Sequence, residues 1–366
     1  MRFSEHSLSR DYSLHAVDLL KLLIATPSLS REEARTAVIV QDFLERRKIQ
    51  IHRKGNNVWA FNAEFDEQKP SLLLNSHHDT VKANQGYTKD PLKPEITDGK
   101  LYGLGSNDAG GCLVSLLFTF LHFYGKPSLP YNLVFLASAE EEISGQNGVA
   151  LALPELPAID CGLIGEPTKM EMAVAEKGLI VLDCYAKGKA GHAAREEGEN
   201  AIYKALHDIS WFHDFKFDKV SEFLGPIKMT VTVIEAGKQH NVVPDSCHFV
   251  ADVRTTDVYS NEETLEIINN HVQSEVKPRS LRLHPSFLPE NLPLAKAADL
   301  LQIKKYGSPT LSDQSLMDFP TCKIGPGDSA RSHTADEFIY LNEIQEGIAG
   351  YIQLLTTMFD LKKNTL

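Results

Sequence analysis

Short apolar runs of strand length, each bounded by polar residues, recur along the first half of the chain. They lie at 57–62, 71–76, 131–138 and 161–165. Helical patterns separate them, at 13–25, 30–48 and 111–124. Strands that alternate with helices favour an α/β sheet with helices on both faces. We therefore predict an α/β fold, closed by a last helix with apolar residues at helical spacing over 341–355.

The second of these helices opens with Ser30-Arg31-Glu32-Glu33, which has the spacing of a capping box. In such a box the serine hydroxyl binds the backbone N–H three residues later, and the glutamate binds back. The spacing therefore predicts that Ser30 caps a helix running to about Lys48.

The middle of the chain has a different order of predicted strands and helices. A strand at 178–187 and a helix at 199–215 precede an alternating strand at 227–235, a strand at 246–254, a helix after Ser260 and a last strand at 280–284. The order β-α-β-β-α-β is that of a ferredoxin-like unit. We predict a discontinuous catalytic domain, 1–173 and 286–366, with a smaller α+β domain inserted at 174–285.

Charge and composition exclude several classes of protein. Lys and Arg number 37 against 49 Asp and Glu, a formal charge of −12, and no local basic stripe favours nucleic-acid binding. No apolar run is long enough to cross a bilayer, and residues 1–12 lack the pattern of a signal peptide. Five widely separated cysteines argue against a disulfide framework. A cytoplasmic protein without membrane or nucleic-acid partners is expected.

Histidine and carboxylate residues follow the predicted strands, where open α/β sheets bind their ligands. In the segment 75–81, alternation along a strand puts His77 and Asp79 on one face and turns His78 away. A carboxylate beside a metal-binding imidazole fixes its tautomer. We therefore interpret His77 as a metal ligand and Asp79 as its orienting partner.

Four further segments carry similar residues: Asp108 among glycines, Glu140 to Glu142 after a buried strand, Glu166 after another, and His333 in a glycine-rich loop. Taken singly, each has an ordinary explanation, such as a helix cap or a solvated loop. Together they supply His and carboxylate ligands without cysteine, which suits a pair of catalytic zinc ions with room for water.

These segments, taken in order, resemble the acetylornithine deacetylase / succinyl-diaminopimelate desuccinylase family of co-catalytic metallohydrolases, and the resemblance covers nearly the whole chain. It implies a zinc-exopeptidase-like α/β/α catalytic domain and two divalent ions, with zinc favoured over Co²⁺ or Mn²⁺. It also implies that Asp108 bridges the metals and that Glu141 is the general base and acid. The remaining metal ligands implied are His77, Glu142, Glu166 and His333. Asp79 is implied as the partner that orients the His77 ring.

The same resemblance gives the inserted domain the role of a lid and dimerisation domain. His192, in the segment 191–194, would stabilise the oxyanion in the partner subunit of a homodimer. Asn241 and Arg254 match positions that hold the substrate's carboxylate or backbone atoms. A turn, a hairpin loop and a surface ion pair are the ordinary explanations for these three residues.

The modest length and the segments 165–168 and 325–337 resemble most closely the acetylornithine and acylcitrulline deacetylases of arginine biosynthesis. We therefore expect hydrolysis of an N-acyl amino acid, either N-acetylornithine or an N-acetyl- or N-succinylcitrulline. A di- or tripeptidase or carboxypeptidase with the same metal site is the main alternative, and a non-catalytic binding protein is a second. Leu104, Ala109 and Gly110 depart from the family pattern around Asp108, which leaves substrate and rate open. Ser329 and Arg331 are candidates to contact the substrate's side chain.

Overall fold

The computed structural model describes the backbone from Glu5 to Lys363 and side chains from Tyr12 to Lys363. Residues 1–4, part of the segment predicted to lack a signal peptide, lie outside the described residues. No helix in the described part of the chain is long and apolar enough to cross a membrane. The helices are α1 Glu5–Ile24, α2 Ala34–Glu45, α3 Gly111–Phe123, α4 Val149–Ala152, α5 Ala201–Asp214, α6 Asn261–Asn269, α7 Pro293–Leu300 and α8 Leu341–Lys363.

Eighteen strands are described, in four sheets. They are β1 Ile51–Lys54, β2 Asn57–Phe61, β3 Ser71–His77, β4 Glu95–Thr97, β5 Lys100–Tyr102, β6 Asn132–Ser138, β7 Cys161–Ile164, β8 Met172–Glu176, β9 Ile180–Lys187, β10 Gly191–His192, β11 Lys228–Ala236, β12 Val242–Val243, β13 Ser246–Arg254, β14 Glu275–Pro278, β15 Ser286–Phe287, β16 Lys305–Ser308, β17 Thr321–Lys323 and β18 Phe338–Tyr340.

The largest sheet has the order β1-β2-β6-β3-β7-β17-β8-β15, with β16 beside β8. Its centre is parallel, since β3 pairs in parallel with β6 and β7, and β17 with β7. Strands β3 and β6 are buried along their whole length. Continuous apolar strands of this kind are expected where helices cover both faces of a parallel sheet.

Alternate side chains of these strands face different helices. Phe135 of β6 lies 5.8 Å from the ring of Phe120 on α3, whereas Leu73 and Val134 join an apolar cluster with Val149 of α4. Helices α1, α3 and α8 contact one another on the α3 face. The predicted α/β/α arrangement is confirmed, and it aligns the carboxyl ends of β3, β6, β7 and β17 at one edge of the sheet.

The capping box predicted at Ser30 is wrong. Helix α2 begins at Ala34, and its N-cap, Glu33, makes no side-chain capping bond. The Ser30 hydroxyl instead donates to Asp79 Oδ2 at 2.7 Å. By contrast, Ser260 and Glu263 form a complete capping box at the start of α6.

The chain divides into two compact units. One comprises Met1–Val174, Phe287–Tyr306 and Ser312–Leu366, and the other Ala175–Ser286 and Gly307–Leu311. The second unit contains a four-stranded antiparallel sheet in the order β11-β13-β9-β14. With α5 and α6 in the connections, this is the ferredoxin-like order predicted from the sequence. Segment 307–311, predicted in the catalytic domain, belongs with the second unit, where the Lys177 N–H donates to Ser308 O.

Two details of the second unit differ from expectation. The last strand is Glu275–Pro278 rather than 280–284, because β14 pairs with β9 and stops at Pro278. The alternation expected along 227–235 is interrupted by a register shift between Val231 and Val233. The bulge ends the alternation, and Val233 and Ile234 are both exposed.

Candidate metal centre

His77 ends strand β3, and its ring is held on one side. Its Nδ1 lies 3.0 Å from the backbone oxygen of Asp79 and 3.5 Å from Asp79 Oδ1. The ring is 1 % exposed, and Nε2 has no hydrogen-bond partner among the described residues. Hydrogen bonding at Nδ1 leaves Nε2 as the atom with a free lone pair. His78 points elsewhere, with its ring nitrogens 2.9 Å from Thr36 Oγ1 and Asn56 O.

The Asp79 carboxylate contacts both sides of the centre. Besides lying against His77, it accepts the backbone N–H of Glu141 at 3.1 Å and of Glu142 at 3.3 Å. Ser30 supplies a further donor. Asp79 therefore fixes the turn after β6 as well as the ring at the end of β3.

Asp108 lies between the two histidines. Its Oδ1 is 3.4 Å from His77 Nε2, and its Oδ2 is 3.6 Å from His333 Nε2. Each carboxylate oxygen thus faces a different imidazole, which is the arrangement that a bridging ligand requires.

The two remaining carboxylates divide between the histidines. Glu142 Oε2 lies 3.0 Å from His333 Nε2, and Glu166 Oε1 lies 3.9 Å from His77 Nε2. The carboxylate of Glu142 raises the pKa of His333 to about 9. Ligand atoms of His77, Asp108 and Glu142 all lie within 4.8 Å of one another.

Glu141 lies beside this set, with Oε2 3.8 Å from His77 Nε2. Burial raises the pKa of Glu141 well above its ordinary value, although the charge of His77 opposes that rise. The side chain lies next to the ligands and is 12 % exposed. It can therefore exchange a proton with a molecule bound at the centre.

This donor set fits divalent metal ions. A buried imidazole nitrogen without a partner is costly unless something accepts its lone pair, and the neighbouring groups are carboxylates that repel one another. A pair of cations would satisfy both, and two histidines with several carboxylates are ligands that zinc accepts.

One contributor was not given a role from the sequence. Glu337 is 2 % exposed, and its carboxylate accepts three backbone N–H groups of the segment 105–108. Its position four residues after His333 was visible, but the segment that it binds lies more than two hundred residues earlier. The Arg331 guanidinium makes two hydrogen bonds to Glu343, and its contact with the substrate's side chain stays a prediction.

The other predicted site residues lie in the second unit. Strand β10, with His192, pairs with β12, and the Ala193 N–H donates to Asn241 O at 3.0 Å. The Ala194 N–H donates to His192 Nδ1 at 3.1 Å, so the ring proton resides on Nε2. Arg254 binds Asp252 through Nε and Nη2, at 2.8 and 3.0 Å.

Comparisons with known proteins identify the family of this chain. A family model for the M20/M25/M40 peptidases matches residues 73–357. The chain is 25 % identical over 364 residues to a peptidase M20 domain-containing protein of Schizosaccharomyces pombe, covering 94 % of this chain and 85 % of that one. It is 28 % identical over 357 residues to acetylornithine deacetylase of Shigella sonnei, covering 88 % and 92 %.

Among solved structures, the YXEP protein of Bacillus subtilis, described as a dinuclear metal-binding peptidase of the M20 family, superposes with a TM-score of 0.72. It is 16 % identical, and the match covers 96 % of this chain and 99 % of that one. The chain belongs to peptidase family M20/M25/M40. It is therefore an enzyme, a metallohydrolase of the class that includes peptidases and deacetylases.

Proposed function

We propose that this enzyme uses two divalent metal ions, zinc in the first instance, to hydrolyse the amide bond of an N-acyl amino acid. The main support for this proposal is the position of Asp108, whose Oδ1 faces His77 and whose Oδ2 faces His333. The distances support one set of ligands from His77, Asp108 and Glu166 and another from His333, Asp108 and Glu142. When bound, such ions supply Lewis acidity towards water and an acyl oxygen.

Glu141 is the proposed general base and acid. Its carboxylate takes a proton from water as the water oxygen attacks the acyl carbon, and it returns that proton to the departing amine nitrogen as the C–N bond breaks. Asp79 keeps Glu141 in place through its backbone N–H and holds the His77 ring. The products are a carboxylic acid and a free amino acid.

His192 is proposed to donate from Nε2 to the developing oxyanion in a partner subunit. The hydrogen bond at Nδ1 supports that role, since it leaves the proton on the exposed side of the ring. Asn241 and Arg254 are proposed to bind the substrate's carboxylate or backbone atoms. Arg254 already binds Asp252 through two nitrogens, so a substrate would use the remaining Nη1.

The substrate proposal rests on the relatives. The acetylornithine deacetylase of Shigella sonnei supports N-acetylornithine. An N-acylcitrulline, and a place in arginine biosynthesis, are proposed from the sequence resemblance alone. The Bacillus subtilis structure, named as a peptidase, supports the alternative of a di- or tripeptidase or carboxypeptidase at the same centre.

We further propose a homodimer formed through the inserted domain, in the cytoplasm. Among the described strands, β11 pairs only with β13 and so forms an edge of the four-stranded sheet. It exposes Val233 and Ile234, which suits pairing with a second copy. All five cysteines are buried free thiols, in keeping with a reducing compartment.

The substrate is tested by measuring release of free amine from N-acetylornithine, N-acetylcitrulline and N-succinylcitrulline, with a dipeptide and a tripeptide for comparison. Turnover of one acyl amino acid far above the peptides is expected, and turnover of peptides alone would select the alternative. Glu141→Gln should bind two metals and lose about 10²- to 10⁴-fold in kcat. A near-normal kcat in that variant would remove Glu141 from its proposed role.

A further inference from the structure

Glu337 binds the backbone of the segment that carries Asp108. Its Oε2 accepts the Gly105 N–H at 3.1 Å, and its Oε1 accepts the N–H groups of Asn107 and Asp108 at 2.8 and 2.9 Å. The Glu337 backbone oxygen accepts a fourth bond, from the Gly103 N–H at 3.0 Å. Four donors from one short segment therefore converge on a single buried residue.

The segment 105–108 needs such a partner because it lacks regular structure. Gly105 has a φ of 74°, and a Cβ there would lie 2.6 Å from the Thr80 side chain. Asp108 itself departs from helical angles, with φ −117° and ψ 99°. The N–H groups at 107 and 108 both point at the Glu337 carboxylate, where Oε1 accepts both hydrogen bonds.

The same segment is tied to the loop that carries His333. The Asn107 amide donates to Asp328 O at 3.1 Å and accepts the Asp328 N–H at 3.0 Å. Glu337 lies four residues beyond His333 on that loop. Two side chains, Asn107 and Glu337, therefore fix the loop of one predicted ligand against the loop of the other.

We propose that Glu337 is a positioning residue that sets the Asp108 carboxylate between His77 and His333, and so determines the affinity for both metals. The inference rests on the proposed two-metal function. Because each Asp108 oxygen faces a different histidine, a shift of the Asp108 backbone alters both metal positions at once. Loss of a ligand that serves a single ion, such as Glu166, would instead weaken one position more than the other.

The test compares Glu337→Gln and Glu337→Ala with the parent. Glutamine keeps the shape but replaces one acceptor oxygen with an N–H₂ group that faces backbone donors. The matched control is Asp336→Asn, since the adjacent Asp336 carboxylate binds a different segment, through Thr88 and the Lys89 N–H. The dissociation constants of two Zn²⁺ ions are measured by competition with a chromogenic chelator, with circular dichroism to verify folding.

Both dissociation constants should rise about 10- to 100-fold in Glu337→Gln, as expected when an outer partner of a metal ligand is removed. Asp336→Asn should keep the parent's values. A folded Glu337→Gln protein with both constants unchanged, or with only one weakened, would overturn the inference. If that variant folds only in excess Zn²⁺, the rate of Zn²⁺ release to a chelator replaces the equilibrium measurement, and an unchanged rate overturns it equally.

These outcomes separate the inference from the proposed function. A parent that binds two Zn²⁺ ions tightly but hydrolyses no amide would remove the function while leaving the role of Glu337 measurable. A parent that binds no metal would overturn both.

Discussion

Two buried carboxylates, Asp79 and Glu337, organise the candidate centre through backbone N–H groups. Asp79 binds the turn of Glu141 and Glu142, and Glu337 binds the segment that carries Asp108. A charged acceptor that binds several N–H groups fixes a loop more strongly than a neutral one. Two of the predicted metal ligands, Glu142 and Asp108, thus lie on irregular segments that are held by a carboxylate from elsewhere in the chain.

Ser30 extends this network by one step, since its hydroxyl donates to Asp79 Oδ2 at 2.7 Å. Ser30→Ala removes one donor and leaves the His77 side of Asp79 intact. We expect the Zn²⁺ dissociation constants to rise by a few-fold, at most about 10-fold. Removing a group that contacts a metal ligand directly weakens metal binding about 10- to 100-fold, and Ser30 is one contact further from the metal than such a group. Isothermal titration against a competing chelator measures this.

Ser128→Ala, at an exposed turn, serves as the control and should bind metal as the parent does. Equal affinities in Ser30→Ala and the parent would show that Asp79 does not depend on the hydroxyl.

The contacts of His77 and Asp79 follow from strand alternation, which makes their shared face predictable from the sequence. The role of Ser30 was not predictable in this way. Its spacing to Glu33 matches a capping box, but Asp79, forty-nine residues later, competes for the same hydroxyl. Glu337 was missed for a similar reason, because backbone N–H groups leave no signature in a sequence.

Among the elements, the sheet of the second unit carries a charge cluster on β9, β13 and the residue after β14. Asp183 Oδ1 lies 2.8 Å from His248 Nε2, and Asp183 also accepts two bonds from Arg279. The bonds from Arg279 and then His248 lower the pKa of Asp183 from 3.8 to about 2. The cluster joins three neighbouring segments of the sheet.

This shift predicts how stability depends on pH. A carboxyl group with a lowered pKa in the folded state stabilises it above the unfolded pKa and loses that contribution as the pH falls. Asp183 should therefore stabilise the fold fully above about pH 4 and progressively less towards pH 2. The difference in unfolding free energy between the parent and Asp183→Asn, measured by urea denaturation at several pH values, should shrink as the pH falls from about 4 to 3 and below.

A difference between the parent and Asp183→Asn that stays constant down to pH 3 would mean that Arg279 and His248 do not favour the ionised carboxylate.

Most elements were predictable because their apolar patterns are local. Strands β3, β6 and β7 are continuous apolar runs, and α3 is apolar all round because it is buried against β3, β6 and the helices α1 and α8. The last strand of the second unit was misplaced, since residues 275–278 carry little apolar character and gain their strand conformation by pairing with β9. Pairing of that kind depends on the rest of the sheet.

In the whole molecule, the exposed edge of β11 is the surface through which the proposed dimer would form. Ile234 is 52 % exposed on that strand, and Tyr203 and Leu206 of the adjacent α5 are also exposed. Ile234→Glu should convert a dimer into a monomer in sedimentation velocity at micromolar concentration, because it places a charge in an apolar contact. Val220→Glu, an exposed apolar position outside the strand, should remain dimeric.

A parent that sediments as a monomer, or an Ile234→Glu variant that stays dimeric, would contradict the proposed interface.

The order of elements predicted both the α/β/α layers and the ferredoxin-like unit. The position of Gly307–Leu311 was not predictable, because that segment joins the second unit through contacts with residues that are distant in the sequence.

Metal titration of the enzyme stripped with a chelator tests whether two metal ions, held by five side chains, act with Glu141 to break an amide. Hydrolysis of the preferred N-acyl amino acid is followed as Zn²⁺ is added in known equivalents. No turnover is expected in the stripped protein, and recovery should be complete at two equivalents in the parent but absent in Glu141→Gln. Full turnover in the stripped protein, or recovery in Glu141→Gln to the parent's rate, would show that this mechanism is wrong.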